Sequence, residues 1–322
     1  MRGSQEGVLR SLCVLKPHTE NERFCDVGRG ITLCYETFGD SSDPPAFLIM
    51  GLATQMIGWN EDFCAGLADR GFYVVRFDNR DVGRSTHMPY RAPGNLQFLT
   101  KRFDEYLYTL ADMAEDTARL IERLGLSPAH VIGTSMGGMI AQELAVNHPE
   151  NVRSLTSIMS TTGSSRHGQP SAAMYKHLLS RPPHNRDEFI ERAVEAFGSV
   201  GSPGFEVDPD WIRDRAARSY DRGYDVTSSA RQLGAVLKSG NRIESLSRIE
   251  SPTLVIHGDS DPLIDVSGGY ATSEAIPDAE LLVVEGMGHD FPRDAWPLIL
   301  DRIAAHAHAA DRSRETISGK ST

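Results

Sequence analysis

Short apolar runs alternate along this chain with stretches whose apolar positions recur every three or four residues. Residues 31–38, 46–50, 72–77, 129–132, 152–159, 252–257 and 280–285 read as strands. Several are apolar at successive positions, which predicts a mostly parallel sheet covered on both faces. Residues 111–124, 136–147, 187–197, 211–220 and 296–306 read as helices, the first stopping at Gly125 and the second before Pro149. Strand and helix alternate regularly except between about 160 and 248. That stretch carries helical patterns broken by Arg181-Pro182-Pro183 and Gly201-Ser202-Pro203-Gly204.

These patterns predict an α/β architecture with helices on both faces of the sheet. The expected organisation is a flexible N-terminal arm at 1–22, a core formed by 23–159 and 249–309, a mainly helical cap at 160–248, and a flexible tail at 310–322. No internal repeat is present. The 322 residues are 40% hydrophobic and 24% charged, enough apolar material for a large core. The net charge of −11 makes nucleic acid and anionic membrane poor default partners. No apolar run nears the length that spans a bilayer. The N-terminus lacks a clear cleavage site, so the expectation is a cytoplasmic protein. The cysteines at 13, 25, 34 and 64 form no C-x-x-C pair and read as free thiols, with a Cys13–Cys25 disulfide as the alternative.

The chemistry concentrates at Gly133-Thr134-Ser135-Met136-Gly137, a G-x-S-x-G between a predicted strand and a predicted helix. A reversal from strand to helix within so few residues strains the serine backbone and leaves no room for side chains two residues to either side. The turn lifts the Ser135 hydroxyl off the sheet and puts the Met136 N–H at a helix start, where developing negative charge is favoured. A serine hydroxyl needs a base. Of eleven histidines, most sit in polar surroundings, whereas His289 follows a late strand in the glycine-flanked loop Gly286-Met287-Gly288-His289. The base in turn needs a carboxylate. The loop after strand 252–257 offers Asp261, followed by Pro262, with Asp259 as the competitor and a turn-stabilising role as its ordinary alternative. The charged loop Asp78–Ser85 reads as self-ordered by Arg–Asp pairs and a glycine turn. A metal site built on Asp78 and Asp81 is not expected, and no H-E-x-x-H or thiolate cluster occurs.

Five segments together resemble the α/β-hydrolase superfamily over roughly residues 25–308: FLIMGLATQMIGW at 47–59, RFDNRDVGRS at 76–85, the GTSMGG elbow, SPTLVIHGDSDPL and GMGHDFP. Within it they resemble the aclacinomycin-methylesterase-like group of small esterases. The resemblance implies a Ser–His–Asp triad falling on Ser135, His289 and Asp261, in agreement with the residue-level reading. It also implies an oxyanion hole that pairs the Met136 N–H with a donor from the loop after residue 50. By resemblance to the methylesterase group that donor is Leu52, with Gly51 as the alternative. Met50 stands where the superfamily often has histidine.

Gly51, Met56 and Met287 are further pocket candidates, and the side chains of Leu52 and Met136 are expected to face the site. Trp59 and Met139 are expected in the core. The predicted activity is hydrolysis of a small to medium, mainly apolar ester through an acyl-enzyme, with no cofactor and no metal. The serine at the elbow disfavours dehalogenase and epoxide-hydrolase chemistry, which uses a carboxylate there. C–C bond hydrolysis, cofactor-free perhydrolysis and a slow-turnover ligand receptor are the alternatives. The expected partner is a small-molecule ester, without nucleic acid or membrane insertion, and a homodimer is compatible with the sequence.

Overall fold

The computed structural model describes residues 21–172, 174, 183–225 and 227–318. Nearly all of the expected N-terminal arm, Cys13 and residues 319–322 lie outside them.

The described strands form one sheet in the order β1-β2-β4-β3-β5-β6-β7-β8. β1 (Arg23–Gly28), β2 (Ile31–Phe38) and β4 (Tyr73–Phe77) run antiparallel in succession. β3 (Pro45–Ile49), β5 (Ala129–Thr134), β6 (Val152–Ile158), β7 (Thr253–Gly258) and β8 (Glu280–Val284) continue the sheet in parallel from β4. Every residue of β3, β5 and β7 is buried, which is why apolar residues predominate in these strands.

Side chains alternate between two apolar layers. Phe47, Ile49 and Val131 point to one layer, and Ala46, Leu48 and Ile132 to the other. The first layer is closed by α3 (Leu110–Arg123) and α4 (Met136–Asn147). The second is closed by α1 (Glu61–Ala68) and a long C-terminal helix (Trp296–Ser318), α10. Thr109 and Asp112 cap α3 reciprocally, and the chain leaves that helix through Gly125 at φ +69°. A short helix, α2 (Asn95–Thr100), precedes it.

Between β6 and β7 lie α5 (Arg186–Val200), α6 (Pro209–Arg222), α7 (Ser228–Ser239) and the single turn α8 (Ile243–Leu246). Asn185 caps α5. Asp208, followed by Pro209, caps α6. Another helix, α9 (Ser267–Ala275), separates β7 from β8.

The structure departs from the sequence reading at both ends. Glu22, assigned to the arm, pairs with Arg222 at 2.8 Å and Arg84 at 3.1 Å. β1 escapes the pattern because only Val27 of its six residues is fully buried, as befits an edge strand. The last helix passes well beyond residue 306 into the expected tail. Ala307 and Ala310 continue its buried stripe, and Asp311 reaches the sheet at His130 and Arg153. Cys25, Cys34 and Cys64 are free thiols, and burial pushes the Cys64 thiol up to about 12.

Candidate active site

The elbow follows directly from local sterics. Ser135 sits between β5 and α4 with φ 54° and ψ −121°, a conformation that side-chain-bearing residues rarely adopt. A Cβ at Gly133 would collide with the Gly137 carbonyl, and one at Gly137 with the Ile49 carbonyl. The serine carbonyl accepts from the Gly138 N–H at 3.0 Å and the Ser160 hydroxyl at 2.8 Å, which fixes the turn. Ser135 itself remains partly exposed.

Three residues distant in sequence meet here. His289 Nε2 lies 3.0 Å from Ser135 Oγ, and its Nδ1 lies 2.6 Å from Asp261 Oδ2. The other carboxylate oxygen of Asp261 accepts the N–H groups of Leu263 and Ile264, each at 2.9 Å. Burial opposes ionisation of Asp261, but the charge of His289 and the bonds from His257, His289 and Ile264 outweigh it and hold the carboxyl at about 2. Asp259 lies elsewhere. It is exposed and accepts from the Ser260 hydroxyl and the Gly286 N–H, fastening the turn.

The histidine loop is clamped by the segment that follows α5. The His289 N–H donates to the Val200 carbonyl at 2.7 Å, and the Gly288 N–H to Ser202 Oγ at 2.8 Å. The Ser202 hydroxyl donates in turn to Asp290, and the Gly204 N–H to the Gly286 carbonyl. A Cβ at Gly288 would strike the Gly201 carbonyl, so glycine there permits close approach of two loops. Burial raises the Asp290 carboxyl above its ordinary value, against the lowering effect of its Ser202 bonds. Nothing in the sequence marked Ser202 or Asp290, because their partners lie in a loop more than eighty residues away.

The triad candidates open into a cavity of about 270 Å³. Its wall is mainly apolar: Leu52, Trp59, Phe63, Met159, Phe197, Trp211, Phe291 and Trp296, with Arg215 and Asp290 as the charged members. Gly51 and Leu52 are among the residues that line it. Among the described residues, the N–H groups of Leu52 and Met136 have no hydrogen-bond partner, whereas the neighbouring Ala53 N–H donates to Gln232.

Three methionines do not fit the expectation. Met56 is buried with Cys34 and Ile57, its N–H bound to Asp78. Met287 points into the layer beneath α10. The Met136 side chain packs into the layer beneath α4, so only its backbone faces the site. Trp59 is almost fully buried yet also forms cavity wall. The pocket residues supplied by α5 and α6 were not legible, since helical periodicity does not say which face looks at the sheet.

The loop Asp78–Ser85 does carry Arg–Asp pairs, but each of them joins the loop to another element. Arg222 of α6 binds Asp78, Arg231 of α7 binds Asp81, and the loop's own Arg80 binds Asp116 of α3. Asp78 and Asp81 thus serve as anchors for α6 and α7.

Comparison with known proteins shows the same fold. A family model described as alpha/beta hydrolase fold matches residues 44–292. The rhodomycin D methylesterase DnrP of Streptomyces peucetius is 26% identical over 87% of this chain and 96% of its own length. The methylesterase DauP of Streptomyces sp. strain C5 is 28% identical with the same coverage. The solved esterase RhEst1 of Rhodococcus sp. ECU1013 is similar with a TM-score of 0.71 at 19% identity, over 90% of this chain and 99% of that one.

Proposed function

Because the chain belongs to the alpha/beta hydrolase fold family, we propose that it hydrolyses a small to medium, mainly apolar carboxylic ester through Ser135, His289 and Asp261. The observation that carries this reading is the unbroken chain from Ser135 Oγ through His289 to Asp261, at 3.0 and 2.6 Å, opening into an apolar cavity. Its ester-cleaving relatives, the two methylesterases, point the same way.

In this mechanism His289 Nε2 takes the Ser135 proton as Oγ attacks the ester carbonyl carbon. Asp261, ionised and held by two backbone N–H groups, fixes the imidazole tautomer and stabilises the imidazolium. The N–H groups of Leu52 and Met136 receive the oxyanion, a role favoured by their lack of other partners. His289 then passes the proton to the leaving alcohol as the C–O bond breaks. Water, deprotonated by the same imidazole, attacks the acyl-enzyme and releases the acid. The helices between β6 and β7 act as a cap that supplies one wall of the pocket.

Replacement of Ser135 by alanine tests the assignment. The expected loss of kcat on p-nitrophenyl esters is on the order of 10⁴–10⁶-fold. The circular dichroism spectrum and melting temperature should be unchanged. Retention of wild-type turnover by the folded variant would overturn it.

A further inference from the structure

The cavity contains one group that an apolar ester would leave unused. Arg215 reaches into it from α6, alongside Ser135 and His289. Its guanidinium carbon lies 4.6 Å from the centre of the Phe197 ring and 4.7 Å from that of Trp211. The two rings meet edge to face at 82°. They hold the cation through its charge but satisfy none of its N–H groups.

The other arginines of α6 behave differently. Arg213 pairs with Glu191 at 3.6 Å, Arg218 with Glu61 at 2.6 Å and Arg222 with Asp78 at 3.0 Å. Arg215 alone among them has neither a hydrogen bond nor an ion pair with a described residue. The carboxylate that acts on it electrostatically, Asp290, is beyond ion-pair distance and is engaged by Ser202. Burial lowers the Arg215 guanidinium to about 10, so it remains charged at neutral pH. Arg215 is half-buried, and a charge partly withdrawn from water with no described partner gains from a ligand that pairs with it. The net charge of −11 repels anions from the molecule as a whole, so any anion preference must arise locally.

We infer that Arg215 receives a carboxylate of the substrate, and hence that the preferred ester is a half-ester: an apolar body bearing the scissile ester at one position and a free carboxylate at another. A carboxylate matches the fork of N–H donors that the aromatic rings leave open. The inference rests on the ester-hydrolase reading and narrows its substrate class. Arg215 serves specificity in it and takes no part in bond cleavage.

Monomethyl suberate and methyl octanoate test it, since they share chain length and scissile group and differ in a terminal carboxylate. Wild-type protein should favour the half-ester in kcat/KM. The ratio of the two should fall by about tenfold or more in Arg215→Met, mainly through KM, and be partly restored in Arg215→Lys. A wild-type ratio near unity, or a ratio unchanged in Arg215→Met, would overturn the inference.

Titration of the intrinsic tryptophan fluorescence of Ser135→Ala with the same two esters reads binding without turnover, and needs no substitution at 215. Tighter binding of the half-ester, abolished in Ser135→Ala/Arg215→Met, supports the anion site even if the wild type cleaves neither compound, an outcome that would sink the ester-hydrolase reading alone. Cleavage of both esters with no binding preference would leave that reading standing and remove the anion site.

Discussion

The positive φ of Ser135 is tolerated because Gly133 and Gly137 leave the elbow free of Cβ atoms that would strike the backbone. The two aspartates of the Gly258-Asp259-Ser260-Asp261 turn show how two residues of spacing separate unlike roles. Asp261 is buried against His289 and accepts two backbone N–H groups, whereas Asp259 faces solvent and braces Gly286. Asp261→Asn should lower kcat by on the order of 10⁴-fold with little change in KM, because the histidine loses its tautomer control. Asp259→Asn should stay within a few-fold of wild type, so steady-state kinetics on the two variants distinguishes them. The sequence reading preferred Asp261 to Asp259 from Pro262 and the apolar residue after it. It could not display the Leu263 and Ile264 N–H groups that secure the chosen carboxylate.

Among the elements, the parallel strands were the most legible, since burial of the central ones on both faces gathers apolar residues into short runs. β1 and α2 were not, being short and largely solvent-facing. The attachment of α6 and α7 was also hidden. Arg231 of α7 binds both oxygens of Asp81 at 2.8 and 2.9 Å, and Tyr108 donates to the same carboxylate. All three side chains are buried. Arg231→Met leaves Asp81 short of its main countercharge in a site closed to water, and should destabilise the fold by about 3–5 kcal/mol. Urea unfolding of the variant measures this. A loss below 1 kcal/mol would mean that Asp81 takes up a proton or gains access to water.

For the whole molecule, the last helix ties the far end of the chain to the centre of the sheet. His130 on β5 is nearly sealed from solvent, with Ser154 at 2.9 Å and Asp311 of α10 at 3.2 Å. Burial lowers it from the ordinary 6.5 to about 4, against the opposing pull of Asp311. Its folded value lies below its unfolded one, so the unfolded chain binds the extra proton first. The stability contributed is fully present above pH 6.5 and is lost as the pH falls through about 4. Burial shifts His306 the same way. The melting temperature should therefore decline between pH 6.5 and 4, and His130→Gln should flatten that slope in differential scanning calorimetry. An unchanged slope would place the acid sensitivity elsewhere. No helix of the described residues is long and apolar enough to cross a membrane.

The sequence by itself determined the alternation of strand and helix, the glycine-framed serine turn, and the histidine and aspartate offered as its partners. These are encoded locally: a sheet buried on both faces demands contiguous apolar residues, and a strained turn demands glycines at fixed offsets. Tertiary structure alone decided that the segment after α5 clamps the histidine loop, that Arg222 and Arg231 anchor distant helices to Asp78 and Asp81, and that Arg215 is the α6 arginine turned into the cavity. Each of these depends on which face of a helix meets which end of the sheet. That choice is made by packing between residues far apart in the chain, and periodicity carries no record of it.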